Sequence, residues 1–411
     1  MSKAVPGRGG LKSVIVAYDF AHINGGQAKV AIESALLLAA TGLDVTYFAA
    51  AGPADARLEE HGIRVVLLDQ KDILSDPSRL KAAARGIWNT RARRELAALA
   101  QEFDPASAVL HCHGYAKALS PSIGPELAGG ALAAVYTMHE YFLACPNGGF
   151  YDFKKHEICT RKALSAGCLR TNCDVRHPAH KAWRAVRQAV TRGPGQLPSG
   201  LRDIIYISDL QRKVMAPYLP GGARMHYVPN PVVFPDMPAA PAQDQDIFLF
   251  IGRMSPEKGA RIFAEAAKLA GVRAVFVGDG PDAEHVRRIN PAAEITGWAS
   301  PAEVEAWIAR SRALVFPSLW YETFGLTPAE ALGQGRPVIT GAWSAAAEFV
   351  QDGVNGILCR DASPAALAEA IGKLAAVPGF DPAPLRDFVS PERHVARLLE
   401  IYGTALAGHQ A

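Results

Sequence analysis

The sequence predicts an α/β protein with two Rossmann-like domains that face each other across a cleft. Its 411 residues exceed one ordinary hydrophobic core, so two domains of about 200 residues each are expected. Short apolar runs alternate with helical patterns in both halves, and this βαβ rhythm predicts parallel sheets. A content of 49% hydrophobic and 20% charged residues is typical of a globular protein.

The first half opens with strand, helix and strand. We predict strands at Ser13 to Tyr18, Asp44 to Ala50 and Gly62 to Leu68. The helix after the first strand follows Gly25 and Gly26, which lack the full G-x-G-x-x-G spacing. The glycine pair suits either a close backbone approach to a phosphate or acceptor, or a plain turn before a helix.

A histidine stands at the end of another predicted strand in this half. Ala133 to Thr137 is apolar, and His139 and Glu140 follow it. An imidazole at the carboxyl end of a parallel strand can face a cleft, and its near-neutral pKa lets it donate or accept a hydrogen bond. The alternative is a structural histidine.

Proline marks the predicted boundary between the domains. Val228-Pro229-Asn230-Pro231 follows a strand-like run and precedes a stretch rich in proline and alanine. We therefore place the first domain at residues 1–228, the second at 229–390, and a terminal helical segment at 391–411.

The second domain begins with a cationic loop between a strand and a helix. Ile247 to Ile251 predicts a buried strand, and Ala260 to Ala270 predicts a helix. Between them lie Arg253 and Lys258. A guanidinium can fork onto phosphate oxygens and an ammonium adds a point charge, although such loop cations are often simply solvated.

Two carboxylates flank a second loop of this kind. Glu322 and Glu330 are eight residues apart around Phe324-Gly325-Leu326, and Thr327-Pro328 predicts an N-cap followed by the first turn of a helix. Helix-start amides attract phosphate, while the carboxylates can accept hydrogen bonds from sugar hydroxyls. For Glu330 the alternative is a capping box with Thr327. Together the two loops fit a nucleotide diphosphate attached to a sugar.

These motifs resemble glycosyltransferase family 4. The resemblance rests on Gly252-Arg253, Glu257-Lys258-Gly259, Val277 to Pro281, Thr296-Gly297-Trp298, Pro317-Ser318 and the E-x7-E pair. It is specific in the C-terminal half, and it implies the GT-B fold with a terminal helix that packs back toward the first domain.

The resemblance also implies roles for individual residues. The donor diphosphate would be bound by Arg253 and Lys258, and the transferred sugar and its phosphate by Glu322 and the 324–326 amides. Glu330 would bind the ribose, Gly297 and Trp298 would lie near the base, and Gly25 and Gly26 would approach the donor. His139 matches the active-site histidine of the family, with Glu140 in place of the usual aspartate.

The function implied is retaining transfer from a nucleotide diphosphate sugar, without a required cofactor. The acceptor would be a glycan or a lipid-linked molecule of polysaccharide or cell-envelope synthesis. The alternatives are a protein of the same fold that binds sugar nucleotides without turnover, and a phosphorylase or epimerase.

Four of the six cysteines lie close together, at positions Cys145, Cys159, Cys168 and Cys173. They belong to a predicted insertion at about residues 145–175. Four thiolates suit a structural Zn²⁺ or an iron–sulfur cluster, but C-x2-C spacing is lacking. Free buried thiols or a disulfide pair remain as alternatives.

Positive charge is concentrated in the first half. Residues 1–230 carry 28 Lys and Arg against 19 Asp and Glu. The basic stretches Arg79 to Arg94 and Arg176 to Arg192, with Trp88 and Trp183, predict helices that suit either an anionic membrane surface or plain solvation.

No motif favours nucleic acid as a partner. No apolar run reaches the roughly 18 residues of a membrane span. We expect a cytoplasmic protein, peripheral at most, and the sequence specifies no oligomeric state.

Overall fold

Two parallel β-sheets, one in each half of the chain, organise the protein. The structure is a computed structural model and describes residues 10–235 and 241–410. The strands of the first half are β1 (Ser13–Phe20), β2 (Asp44–Ala51), β3 (Arg64–Leu67), β4 (Ala108–Cys112), β5 (Ala133–Thr137), β6 (Tyr151–Asp152), β7 (Glu157–Ile158), β8 (Asp203–Tyr206) and β9 (Arg224–Tyr227). A seven-stranded sheet has the order β3-β2-β1-β4-β5-β8-β9, while β6 and β7 form a separate antiparallel pair.

Helices cover this first sheet. They are α1 (Gly26–Ala40), α2 (Ala56–Glu60), α3 (Arg79–Ile87), α4 (Thr90–Ala100), α5 (Gly124–Gly129), α6 (Ala166–Arg170), α7 (Pro178–Arg192) and α8 (Asp209–Met215). Every residue of β1 after Ser13 is buried, as expected for a strand covered on both faces.

The second sheet has six parallel strands in the order β12-β11-β10-β13-β14-β15. They are β10 (Ile247–Ile251), β11 (Arg273–Val277), β12 (Glu294–Gly297), β13 (Ser311–Phe316), β14 (Val338–Gly341) and β15 (Gly356–Cys359). The helices are α9 (Ala260–Ala270), α10 (Ala283–Ile289), α11 (Pro301–Ala309), α12 (Leu326–Gly333), α13 (Pro364–Lys373), α14 (Ala383–Phe388) and α15 (Pro391–Gln410). The predicted α/β fold with two parallel sheets is confirmed.

The terminal helix α15 packs on the first domain. Its apolar face enters the core of that domain through Val395, Leu398, Leu399, Ile401, Tyr402, Ala405 and Leu406. Two buried hydrogen bonds fix it there: His111 Nδ1 lies 2.6 Å from the Tyr402 hydroxyl, and Ser34 Oγ lies 3.0 Å from His394 Nε2. The first domain is therefore built from both ends of the described chain.

The two basic stretches of the first half are helical, and both of their tryptophans are partly buried. Residues 79–94 form α3 and the start of α4, and Asn89 caps α4 by accepting a hydrogen bond from the Ala92 amide. Trp183 of α7 donates to the Ala83 carbonyl at 2.9 Å, which ties α7 to α3. Within the described ranges, no helix is long and apolar enough to cross a membrane.

Candidate functional site

Glu322 lies at the centre of the site, in the loop between β13 and α12. Its Oε1 accepts three hydrogen bonds, from Lys258 Nζ at 2.5 Å, Ser318 Oγ at 2.6 Å and Trp320 Nε1 at 2.6 Å. The other oxygen, Oε2, has no partner among the described residues. One oxygen thus fixes the carboxylate and the other is available to a ligand hydroxyl.

The carboxylate of Glu322 is ionised despite its burial. Burial favours the neutral acid, but the Lys258 ammonium and the hydrogen bonds from Lys258, Ser318 and Trp320 outweigh it. The pKa of Glu322 therefore lies below its ordinary value. Lys258 also lies 5.0 Å from the centre of the Trp320 ring, which holds the ammonium from a second side.

The helix after Glu322 begins earlier than predicted. Gly325 is the N-cap of α12, and no side chain caps this helix, so the predicted N-cap at Thr327 is wrong. Gly325 has φ 97°, and a Cβ there would lie 3.1 Å from the Ala346 side chain. Glycine allows the chain to turn from Phe324 directly into the helix. The amide of Leu326 thereby joins the free N–H groups at the helix start.

Glu330 bonds to a lysine of the other domain instead of to Thr327. Lys29 Nζ of α1 lies 2.8 Å from Glu330 Oε1, and the Glu330 side chain is 15% exposed. The capping-box alternative is wrong, because the Glu330 carboxylate faces α1 across the cleft.

The starts of α1 and α12 approach each other closely. A Cβ on Gly26 would lie 2.9 Å from Leu326 Cδ1, so the glycine allows the two domains to touch at this point. Gly25 is the N-cap of α1 and makes no side-chain bond. Two helix N-termini, one from each domain, therefore present free amides and positive dipole ends to one region.

His139 lies in the same cleft, directly after β5. Its Nε2 is 3.0 Å from His113 Nδ1, and its backbone carbonyl accepts a hydrogen bond from Thr323 Oγ1 at 3.0 Å. The second bond joins the β5 loop of the first domain to the Glu322 loop of the second. Burial lowers the pKa of His139 to about 3, so the imidazole is neutral near neutral pH.

The hydrogen-bond network assigns the proton positions of this histidine pair. His113 Nε2 is buried without a partner, so we place the His113 proton on Nδ1, where it is donated to His139 Nε2. His139 then carries its own proton on Nδ1, which has no partner among the described residues. From the sequence alone, His111-Cys112-His113 resembles a metal cluster but lacks further ligands nearby, so no role could be assigned to His113. Its contact with His139 joins two different strands and has no local signal.

Three other predicted donor residues lie at the carboxyl ends of strands in the second domain. Arg253 follows β10 and is exposed, without an ion pair among the described residues. Gly297 ends β12 with φ 78°, and Trp298 follows with 82% of its surface exposed. Their roles toward a diphosphate and a base stay predictions.

Glu140, beside His139, is an unusual carboxylate. Burial raises its pKa to about 7, with Asp19 adding to this effect and Lys117 and Arg187 opposing it. No hydrogen bond reaches its side chain from the described residues. Asp19 anchors the neighbouring loop, because its carboxylate accepts the amides of residues 117 to 119 at 2.7–2.9 Å.

Two of the four clustered cysteines contact a lysine. Lys181 Nζ lies 3.2 Å from Cys173 Sγ and 3.6 Å from Cys168 Sγ, while Cys145 Sγ donates to Asn147 Oδ1. All six cysteines are free, so the disulfide alternative is not formed here. Across residues 10–235 and 241–410, no group of three or more His, Cys, Asp or Glu side chains is arranged to hold a metal.

The Zn²⁺ or iron–sulfur assignment for Cys145, Cys159, Cys168 and Cys173 stays a prediction. Cys159 differs from the other three, because it is only partly buried and lies 3.8 Å from an Arg161 nitrogen.

Comparison with known proteins agrees with this architecture. Residues 245–376 match the family model described as "Glycosyl transferases group 1". The crystal structure of HepE from Anabaena in complex with UDP and glucose superimposes with a TM-score of 0.60 at 17% identity, covering 95% of this chain and 97% of that one.

Two curated proteins match shorter segments. A GDP-mannose-dependent alpha-mannosyltransferase from Corynebacterium glutamicum is 31% identical over 118 residues, 29% of this chain and 28% of that protein. A lipopolysaccharide 1,2-N-acetylglucosaminetransferase from Salmonella typhimurium is 28% identical over 133 residues, 28% of this chain and 35% of that protein. The matches thus span about a third of each relative.

The fold is that of the GT-B glycosyltransferases. In its second domain, the segment that matches the glycosyltransferase family contains Arg253, Lys258, Glu322 and Glu330.

Proposed function

We propose that this protein is a retaining glycosyltransferase that uses a nucleotide diphosphate sugar as donor. The observation that carries the proposal is the Glu322 site: an ionised carboxylate with one free oxygen, the Lys258 ammonium beside it, and two helix N-termini that converge from opposite domains. This arrangement suits a sugar hydroxyl next to a diphosphate.

The positive groups would act on the leaving group. As the bond between the sugar C1 and the diphosphate oxygen breaks, negative charge grows on the diphosphate. Arg253, Lys258 and the amides at the start of α12 would stabilise that charge, an effect worth several kcal/mol in a preorganised site. The acceptor oxygen bonds to C1 on the same face, and its proton passes to the departing phosphate oxygen.

The remaining site residues would hold the donor. Glu322 Oε2 and the His139 Nδ1–H suit hydroxyls of the transferred sugar, and Glu330 suits the ribose hydroxyls. Gly297 lies at the end of β12 and the exposed Trp298 follows it, so both could contact the nucleotide base of the donor. These roles follow the resemblance to family 4. For His139, Glu322 and Glu330 they are supported by the contacts that join the two domains at His139 and Glu330.

The names of two relatives support a proposal for the class of acceptor. One matched protein is named for a mannosyl transfer and another for lipopolysaccharide synthesis. We therefore propose a glycan or lipid-linked acceptor in polysaccharide or cell-envelope assembly, and reversible contact of the basic first domain with an anionic membrane. Vesicle co-sedimentation should rise with anionic lipid and fall with salt.

The test is turnover of donor sugars. Purified protein is incubated with a panel of nucleotide diphosphate sugars, and release of the nucleotide is measured together with the anomeric configuration of the product. The proposal expects slow hydrolysis of one donor, lost in Lys258→Ala and retained in Arg288→Ser, an exposed cation of α10. Tight donor binding without any turnover or transfer would instead favour a sugar-nucleotide-binding protein without catalysis.

A further inference from the structure

A cationic cavity lies beside the donor residues, mostly within the first domain. Its volume is about 430 Å³, and its walls come from α3, α7, the loop after β4 and the segment before α7. Arg253 reaches it from the second domain, whereas Lys258, Glu322 and Glu330 do not line it. The cavity is thus separate from the donor site but adjoins it through one residue.

Positive charge dominates the cavity wall. A single carboxylate, that of Asp174, faces six cationic side chains. Asp174 is already paired with Arg184 at 2.6 Å, and the remaining cations have no ion pair among the described residues. The six cations are Arg79, Lys117, Arg176, Arg184, Arg187 and Arg253.

Arg187 is a buried cation of this wall without a directly paired carboxylate among the described residues. It is 3% exposed, and its guanidinium lies 4.8 Å from the Phe142 ring and 4.9 Å from the Trp183 ring. Nη1 donates to the Ala116 carbonyl at 2.8 Å, but no carboxylate within the described ranges lies within 4.0 Å of it. Glu140 and Asp19 attract this cation from a longer distance, but their attraction does not offset its burial. A buried cation without a directly paired counter-ion is costly, so this position favours an anionic ligand.

Apart from His180, the rest of the wall is apolar. Ile73, Leu74, Phe142 and Trp183 line the same space as the cations. A ligand that fills it must therefore combine an anionic group with an apolar or sugar portion, and organic phosphates have this chemistry.

We propose that this cavity binds the acceptor through a phosphate group carried next to the accepting sugar. The inference rests on the proposed transferase function and names the chemical class of its acceptor. Such phosphates occur in lipid-linked sugars and in soluble sugar phosphates, which share the recognised group. Arg253, at the border between cavity and donor loop, would then contact both substrates.

Binding of simple organophosphates tests the inference. Octyl phosphate and glucose 1-phosphate are titrated calorimetrically into the wild type, Arg187→Met and Arg176→Ser. We expect at least a tenfold loss of affinity in Arg187→Met and a smaller loss in Arg176→Ser, with none in Arg192→Ser. Arg192 is the matched control, because it is an exposed arginine of α7 outside the cavity.

Further variants separate this site from the donor site and from misfolding. Lys258→Ala should retain organophosphate binding while it loses the donor. Arg176 is exposed, so its variant remains informative even if Arg187→Met does not fold. Stronger binding of octyl phosphate identifies a lipid-linked acceptor, and stronger binding of glucose 1-phosphate a soluble one.

Two results would overturn the inference. One is organophosphate affinity that is lost in Lys258→Ala and unchanged in the cavity variants. The other is an absence of binding to a wild type that still hydrolyses its donor. The proposed transferase activity is tested separately, because it would fail if the protein turned over no nucleotide sugar.

Discussion

Lys29 Nζ of the first domain lies 2.8 Å from Glu330 Oε1 of the second, so an ion pair spans the cleft at the carboxylate proposed to bind the ribose. The Lys29 side chain is 40% exposed, so the pair itself adds little to stability. If Glu330 binds the donor as proposed, the ribose hydroxyls would share its carboxylate with Lys29 or replace the lysine there.

Glu330→Gln should weaken donor binding about tenfold, or ~1.4 kcal/mol, because the amide is a poorer acceptor for ribose hydroxyls. The melting temperature should change little, since the pair with Lys29 is partly exposed. Calorimetry with the donor nucleotide measures the first quantity and thermal unfolding the second. Glu294→Gln, at an exposed acid of β12, is the control. Donor affinity equal to that of the wild type would remove Glu330 from the ribose site.

Arg253→Ala and Lys258→Ala should each lower donor affinity and transfer rate at least tenfold, since each removes a positive charge from the diphosphate. The two variants should differ in their pH dependence. Without Lys258, only the hydrogen bonds from Ser318 and Trp320 oppose the effect of burial on Glu322, so its pKa rises and the acid limb of the rate profile moves to higher pH.

The matched Arg253→Ala variant should keep the acid limb of the wild type, because Arg253 makes no contact with Glu322. Equal profiles for both variants would show that the Lys258–Glu322 pair does not set the ionisation of the carboxylate.

His113→Leu should lower kcat several-fold with little change in KM. The reason is that His139 loses the hydrogen bond from His113, which fixes the tautomer and the ring orientation of His139. A purely structural role would lower stability without affecting the kcat of the folded enzyme. The measured rates are therefore divided by the concentration of enzyme that still binds the sugar donor, which is determined by titration. His61→Leu, at a histidine on the surface, is the control. An unchanged kcat would leave His113 as a packing residue.

Acid should destabilise the protein through its buried histidines. Burial lowers the pKa of His139 to about 3 and that of His394 to about 4, and it holds those of His111 and His113 well below the ordinary value. In the unfolded chain these groups titrate near pH 6.5, so the unfolded state binds more protons below that pH. Their stabilising contribution is present above about pH 6.5 and is lost as the pH falls toward 4.

Urea unfolding at a series of pH values measures this effect. His394→Asn should show a shallower loss of unfolding free energy between pH 6.5 and 4 than the wild type does. Parallel curves for the two proteins would contradict the assignment of His394 as a buried neutral group.

The cysteine hypothesis predicts about one equivalent of zinc or iron per chain after purification without added metal. Chelation or Cys168→Ser should then lower the melting temperature. Elemental analysis is the measurement, and Cys359→Ser, a buried cysteine of the second domain, is the control. Absence of stoichiometric metal together with titratable thiols at all four positions would leave Lys181 as the partner of Cys168 and Cys173.

Local patterns were sufficient to predict several strands of the two sheets and the positions of the two site loops. The strands Ala133–Thr137 and Ile247–Ile251 and the helix Ala260–Ala270 agree with the sequence prediction residue for residue. Each is an uninterrupted apolar or amphipathic run with a clear boundary. The start of α12 was misplaced, because the positive φ of Gly325 lets the helix begin before the capping pattern at Thr327.

Contacts between distant segments could not be predicted. Lys29 and Glu330 are 301 positions apart, and Arg187 meets Phe142 only because α7 folds over the β5 loop. Arg253 and Lys258 share a loop, yet Lys258 turns to Glu322 while Arg253 borders the cavity. The different directions of these two side chains depend on packing between the domains, and a single sequence contains no local signal for that packing.

The position of α15 reverses the usual order of domain completion during synthesis. Domains tend to fold as units as the chain leaves the ribosome, the earlier one first. Here the second domain can close its sheet as soon as β15 has emerged, whereas the first still lacks the apolar face of residues 395–406. The domain that is translated first therefore finishes after the second, and its hydrophobic surface under α15 needs protection until α15 has emerged.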